Sequence, residues 1–365
     1  MRTTVAVVNE QGHDFTIEEM ELDEPRADEV LVRIEATGLC HTDLSLRESL
    51  PTEMFPRVFG HEGAGVVEAV GGDVAGVSVG DHVVLSFRSC RTCENCRRGL
   101  VGYCDETLML NYLGFRMDGS TTLSRESGPV YGSFFGQSSL ARHAIAYSDN
   151  CVVVDPALDL AFLAPFGCGF QTGAGTVLNL LQPGADDSLV VYGVGAVGLA
   201  AVAAARAIGV GTILAVDRQP DRLRVAEKHG AQSVDPADLG EVPLVDRIKE
   251  LTGGGATYAI DTTAVPEVVK QGTRALRMRG TMVALGLGPE EYVLDAVDLL
   301  QGGKRVMSSI EGESDPQEMI PRLLRMRAEG GFDLDDLVTT YPFADIATAV
   351  DDVLAGRVVK PVLVR

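Results

Sequence analysis

The sequence predicts an α/β protein with two kinds of domain: a doubly wound parallel sheet and an antiparallel, barrel-like domain. Two observations predict it. Residues 188 to 217, SLVVYGVGAVGLAAVAAARAIGVGTILAVD, read as strand, tight turn, helix and strand, with glycines at 193, 195 and 198 and an acid, Asp217, about 20 residues beyond them. Residues 1 to 150 are instead short apolar runs separated by Gly, Pro and Asp, the pattern of antiparallel strands.

Taken in order, TVAVV, VLVRIEA (30 to 36), GAGVVEAVG and DHVVLSF are the strands expected in the first part. From about 170 to 312 the pattern alternates. DRLRVAEKHG reads as a helix, YAIDTTA (258 to 264) as a buried strand, PEVVKQGTRALRMRG as a helix capped by its glycine, and TMVALGLG as another strand. The end, from about 313, combines a helix, PQEMIPRLLRMRAEG, with a final strand, KPVLVR. In the turn at 193, the first glycine permits the tight bend, Gly195 lets the backbone approach a pyrophosphate and Gly198 brings helix close to sheet. Val197 lies in the same turn, and the helix that follows offers N–H groups and a positive dipole end to phosphates. This is the Rossmann dinucleotide-binding context. Asp217 would accept hydrogen bonds from an adenosine ribose and repel a 2′-phosphate, which favours NAD; Arg218 and Arg222 keep NADP as the alternative.

Composition excludes several classes. With 45% hydrophobic and 23% charged residues, the chain has the balance of a globular protein with a large core. A net charge of −21 argues against nucleic acid and anionic lipid as partners. The longest apolar run, 189 to 205, is interrupted by glycines and is too short for a membrane span. MRTTVAVVNEQG lacks the basic and apolar stretches of a signal peptide, so a cytoplasmic protein without disulfides is expected.

Four of the seven cysteines fall in CRTCENCRRGLVGYC as CxxCxxCx7C: Cys90, Cys93, Cys96 and Cys104. Three thiolates two residues apart can converge on one cation while the longer loop returns a fourth, which points to a closed structural zinc site. An iron–sulfur cluster or four free thiols are the alternatives, although the bacterial cluster run needs a different fourth spacing followed by proline. Cys40 in ATGLCHTDL, His61 in VFGHEGAGVV and Cys168 in APFGCGFQTGAG could form a second set with one position open. Spacing alone leaves that set undecided against small buried thiols; Cys151 stands alone.

GHEGAGVVEAVGGDV (60 to 74), together with GLCHTDL, the cysteine lobe, GCGFQTGAG, GVGAVG and KPVLVR, resembles the zinc-containing medium-chain alcohol dehydrogenases over nearly the whole chain. SFFGQSSLARHAIAY (133 to 147) is most similar to the aryl-alcohol, or benzyl-alcohol, dehydrogenases. The resemblance implies a GroES-like catalytic domain over 1–169 with its zinc lobe at about 88–106, an NAD-binding Rossmann domain over 170–312, and a return to the catalytic domain over 313–365. It further implies two zinc ions per chain, with Cys40, His61 and Cys168 on the catalytic one, and a homo-oligomer, dimer or tetramer.

Roles for other residues follow from the same resemblance. Thr42 matches the hydroxyl that accepts the alcohol proton, Asp43 would orient His61, and Glu62 sits beside the metal. His41 and Lys360 match positions that approach the pyrophosphate. Ser45 stands where many relatives have a proton-relaying histidine, which leaves the last proton step open. Phe87, Phe134 and Phe135 match positions lining a substrate cleft. The activity implied is NAD-dependent interconversion of primary aromatic or allylic alcohols and their aldehydes. Terpene alcohols, polyols or a thiol–formaldehyde adduct are the other substrate classes, and a non-catalytic nucleotide-binding protein is the alternative of a different kind.

Overall fold

The structure, a computed structural model, describes residues 1–365. The chain divides into two units, one of Met1–Cys168, Asp315–Pro321 and Asp335–Arg365, the other of Gly169–Ser314 and Arg322–Leu334.

The first unit is organised around the strand Glu29–Gly38, which is buried along most of its length. Its side chains alternate between two cores. Val30, Val32 and Ile34 join Val67, Val83 and Leu85 on one face, whereas Leu31 joins Val5, Val7, Phe59 and Phe134 on the other. Burial of each such aliphatic side chain is worth about 1.5–3 kcal/mol, so the period of two fixes which face each residue takes. Glu29–Gly38 pairs with Gly63–Val70, with His143–Tyr147 through its first half, and with Lys360–Val364 through its last residues. Two register shifts against Gly63–Val70 bend it, and His82–Leu85 and Cys151–Val154 extend the curled sheet. All these pairings are antiparallel, while Val338–Pro342 adds a parallel partner to Lys360–Val364. A smaller antiparallel sheet runs in the order Arg57–Val58, Arg2–Val8, Thr16–Leu22, Leu123–Arg125, Gly128–Val130.

The second unit holds a six-stranded parallel sheet in the order Gln232–Val234, Thr212–Val216, Ser188–Tyr192, Ala256–Asp261, Leu276–Ala284, Arg305–Ser308. Numbered from its first strand this is 3-2-1-4-5-6, the doubly wound order whose reversal creates a binding crevice beyond strand 1. The small residues of the helix Ala196–Ala207 let it pack closely: a Cβ at Gly198 would lie 2.1 Å from Gly193 O, and one at Gly173 2.0 Å from Val197 O.

Two boundaries differ from the sequence reading. The strand read over 258 to 264 starts at Ala256 and ends at Asp261, whose carboxylate accepts from Thr263 and Ala264 N–H groups and turns the chain. The helix read through Gly280 ends at Ala275, because Leu276 already pairs with Ala256 in the sheet and ladder pairing overrides the local helical pattern. No helix is long and apolar enough to cross a membrane.

Candidate active site and metal-ligand clusters

The four-cysteine loop folds on itself. Cys93 caps the short helix Glu94–Arg97, and backbone N–H groups point at sulfur: Cys90 N at Cys104 Sγ (3.2 Å), Cys93 N at Cys90 Sγ (3.3 Å) and Cys96 N at Cys93 Sγ (3.4 Å). All four sulfurs lie within 4.8 Å of one another, and Cys90 and Cys96 are 3.9 Å apart. Tetrahedral ligation at Zn–S of about 2.3 Å calls for roughly 3.8 Å between sulfurs, so the loop is shaped for the ion. Burial opposes ionisation of Cys90, but donors from Thr92 and Cys93 outweigh it and bring the thiol down to about 6; burial and neighbouring thiols push Cys96 up to about 12. Four thiols this close cannot all ionise without a cation to share.

The second cluster is assembled from separate elements. Cys40 is the N-cap of the helix His41–Ser49, His61 follows Gly60 at the approach to strand Gly63–Val70, and Cys168 ends the turn Ala164–Gly167. Gly60 has φ +95°, and a Cβ there would meet Leu140 N at 2.3 Å, so only glycine brings His61 in along this path. Ligand atoms of Cys40, His61, Glu62 and Cys168 lie within 4.8 Å of one another. Asp43 organises two of them: its Oδ1 accepts from His61 Nδ1 at 2.9 Å and from Gly60 N at 3.0 Å, while Oδ2 accepts from Cys40 N at 3.0 Å. Its carboxylate thereby also fills the N3 position of a capping box. With Nδ1 spent on Asp43, the buried Nε2 of His61 has no hydrogen-bond partner and is turned toward sulfur ligands. Two thiols and an orphaned imidazole nitrogen fit a zinc ion. The hydrogen bond from Cys168 holds the Cys40 thiol well below the ordinary range, the direction a metal ligand requires.

Glu62 is fully buried and takes Lys360 as its partner, with Nζ 2.8 and 2.7 Å from the two carboxylate oxygens. Burial works against both charges: it pushes the Glu62 carboxyl above the ordinary carboxylate range, whereas Glu62 holds the Lys360 ammonium above the ordinary lysine value against the same burial. The structure therefore seats Lys360 on Glu62 beside the metal ligands, neither in solvent nor with its charge unspent. A Cβ at Gly38 would lie 2.0 Å from Glu62 Oε2, so glycine there makes room for the pair. The Thr42 hydroxyl, half-buried, is 3.7 Å from Cys40 Sγ. On the same helix Ser45 is half-buried and His41 exposed.

Aromatic rings crowd the imidazole. Phe135 lies 4.7 Å from His61 by ring centroids, tilted by 31°, and Phe134 meets it edge-on at 5.5 Å. Tyr112, which the sequence reading did not single out, packs on Phe135 at 5.2 Å; Phe87 is buried in the same apolar cluster. Phe135 has φ +50°, a left-handed conformation rare for a bulky residue. It is held there by the buried Asn150 amide, which donates to Phe135 O and Gly136 O. Arg57, also buried, anchors Tyr112 and Leu113 by donating to their carbonyls at 2.7 Å. Neither amide nor guanidinium carries a sequence signal, since each acts on backbone brought near by folding.

In the second unit, Gly193 has φ +82° and a Cβ on it would strike Thr262 Oγ1 at 2.6 Å. Gly195, the N-cap of Ala196–Ala207, faces open space, leaving its backbone approachable; Val197, half-buried, is in the first turn. This cradle fits a pyrophosphate. Asp217, directly after strand Thr212–Val216, accepts from Val194 N at 2.8 Å with one oxygen and from Arg218 and Gln219 N with the other. Those bonds aim the carboxylate at the glycine turn. Arg218 is exposed, and the buried Nε of Arg222 has no partner.

Residues 26–154 match the family described as alcohol dehydrogenase GroES-like domain, and 196–327 match zinc-binding dehydrogenase. A geraniol dehydrogenase from Castellaniella defragrans is 41% identical across 98% of this chain and 96% of its own length. Among solved structures, an alcohol dehydrogenase zinc-binding domain protein from Burkholderia ambifaria superposes with a TM-score of 0.94 at 43% identity, covering 100% of this chain and 99% of the other. A benzyl alcohol dehydrogenase from Acinetobacter calcoaceticus gives 0.93 at 38% identity with the same coverage.

Proposed function

The chain belongs to the zinc-binding alcohol dehydrogenases with a GroES-like domain, and from that premise we propose that it interconverts primary aromatic or allylic alcohols and aldehydes, using NAD and two zinc ions per chain. The observation that carries the substrate class is the aromatic wall of Phe135, Phe134 and Tyr112 against the His61 imidazole. Flat rings cost little to order and favour stacking with a flat substrate. Two relatives are named for geraniol, an allylic alcohol, and for benzyl alcohol, an aromatic one, which supports the same reading.

Cys40, His61 and Cys168 would hold the zinc ion, which would supply Lewis acidity toward an alcohol oxygen, and a nicotinamide would supply the hydride acceptor. The chain's own groups do the rest. Asp43 holds His61 in the tautomer that leaves Nε2 available. Thr42, beside Cys40, would take the alcohol proton at its hydroxyl while releasing its own hydroxyl proton onward to solvent, with Ser45 the next hydroxyl along the helix in place of an imidazole relay. Phe134, Phe135, Phe87 and Tyr112 exclude water and orient the substrate ring. Gly193, Gly195, Val197 and Gly198 cradle the pyrophosphate, with Asp217 on the ribose, Arg218 and Arg222 nearby in sequence and His41 as a further phosphate contact. The cysteine lobe holds the second zinc and stabilises the fold. The reading extends to a catalytic domain of 1–169 and 313–365, a cofactor domain of 170–312, and a cytoplasmic homo-oligomer.

A panel of benzyl, cinnamyl, geranyl, hexyl and ethyl alcohols with NAD and with NADP, followed by nicotinamide absorbance, tests it. Benzyl, cinnamyl and geranyl alcohols with NAD are expected to lead. Preference for ethanol, or for NADP, would refute the corresponding part.

A further inference from the structure

The three ligands Cys40, His61 and Cys168 come from three separate segments, and Asp43 ties only the first two together. The Cys168 segment needs its own tie. The structure supplies one through two fully buried polar residues, Gln137 and Ser86. Gln137 Oε1 accepts from Gly63 N at 3.1 Å and Nε2 donates to His61 O at 3.1 Å, so one amide grips the main chain on both sides of Glu62. The same Nε2 donates to Ser86 O at 3.0 Å, and the Ser86 hydroxyl donates to Gly167 O at 2.6 Å, one residue before Cys168. A Cβ at Gly167 would come within 2.2 Å of Leu85 O, so the Cys168 turn packs directly onto the end of strand His82–Leu85, where Ser86 stands. The path from His61 to Cys168 thus runs through backbone, an amide and a hydroxyl with no apolar gap.

We infer that Gln137 and Ser86 are positioning residues for the open metal site, fixing the spacing between the His61 and Cys168 segments as Asp43 fixes that between Cys40 and His61. The inference rests on the reading of Cys40, His61 and Cys168 as zinc ligands. Each acts through the peptide groups that carry the ligands. Groups of this kind commonly govern metal affinity by 10–100-fold, so the site should lose zinc more readily without them. The four-cysteine lobe, whose sulfurs take N–H donors from within their own loop, serves as a control within the same molecule.

The test is zinc release from the holoenzyme into a chromogenic chelator, comparing wild type, Gln137→Met and Ser86→Ala, with Cys168→Ser to identify the open-site phase. Wild type should release two zinc ions in two phases; one zinc in wild type would refute the underlying two-zinc reading. Gln137→Met keeps side-chain length and removes all three hydrogen bonds, and should speed the open-site phase by about tenfold or more while the lobe phase keeps its rate. Ser86→Ala should speed the same phase by less, and it decides the matter if Gln137→Met does not fold. An unchanged open-site phase in the folded variants, or equal acceleration of both phases, would overturn the inference, the latter because general loosening of the fold would explain it.

Discussion

The two cysteine clusters solve the same problem in opposite ways. In the lobe, four ligands lie between Cys90 and Cys104, and the loop's own N–H groups orient the sulfurs. In the open cluster the ligands come from Cys40, His61 and Cys168, and the orienting groups are Asp43, on the helix that Cys40 caps, and Gln137 and Ser86, drawn from two further places in the chain. A local site depends on its metal to hold a loop together. A distributed site depends on the fold to hold its ligands, and can leave one position open without collapsing.

The sharpest way to break this comparison is to remove one sulfur from each. Cys168→Ser should lower turnover by at least about 10³-fold while melting temperature and secondary structure stay close to wild type. Cys104→Ser should instead cost folding, seen as low soluble yield or a melting temperature several degrees lower, because metal binding there is folding free energy. If Cys104→Ser remained as stable as wild type, the lobe would not be the stabilising site.

The same contrast explains what the sequence made legible. The lobe is readable from spacing because its geometry is local, and so is the Gly193–Gly198 turn, where strand, glycines, helix and Asp217 follow one another. The parallel sheet was readable from alternating patterns, but the helix after Pro266 was read too long because pairing of Leu276 with Ala256 is a long-range event. Cys40, His61 and Cys168 were nameable only through the family resemblance. Gln137, Ser86, Asn150 and Arg57 were not readable as site residues, since each serves backbone carbonyls that have no side-chain signature. The pairing of Lys360 with Glu62 was not readable either, because the two lie nearly the whole chain apart.

Asp43→Asn probes the distributed side further. An amide keeps the size and one acceptor oxygen but loses the charge that His61 Nδ1–H faces, so zinc affinity at the open site should fall about 10–100-fold with the lobe unaffected. Equilibrium zinc-buffer titration reads this directly, and equal weakening at both sites would contradict the separation drawn between them. At the local glycine turn, Asp217 holds three backbone N–H groups, so its removal would both free charge and loosen the turn. Asp217→Asn and Asp217→Gly should be measured together. Both should narrow an NAD preference by about tenfold through lost repulsion of a 2′-phosphate, and the glycine variant should raise KM for NAD more than the asparagine variant, which keeps one of the two acceptor oxygens. A wild-type enzyme preferring NADP would show that Arg218 and Arg222 dominate.

The smallest effect expected is the most informative about substrate. Phe135 sits against His61, and its left-handed backbone is held by Asn150, so the ring is fixed before any substrate arrives. A ring that is already ordered contributes its stacking in full, about 0.5–1.5 kcal/mol beyond burial, which corresponds to roughly 2–12-fold in kcat/KM. Benzyl and cinnamyl alcohols also have intrinsically favourable chemistry, because oxidation gives conjugated aldehydes on any scaffold. The two causes separate in Phe135→Ala, where the benzyl-to-hexyl ratio of kcat/KM should fall by that factor while intrinsic reactivity is untouched. Alanine also relieves a bulky side chain from a positive φ, so the melting temperature is measured alongside, to keep a stability change from passing as a specificity change. A ratio that does not move in a folded, zinc-replete variant would remove the aromatic wall as the source of preference and leave only the reactivity of the alcohols.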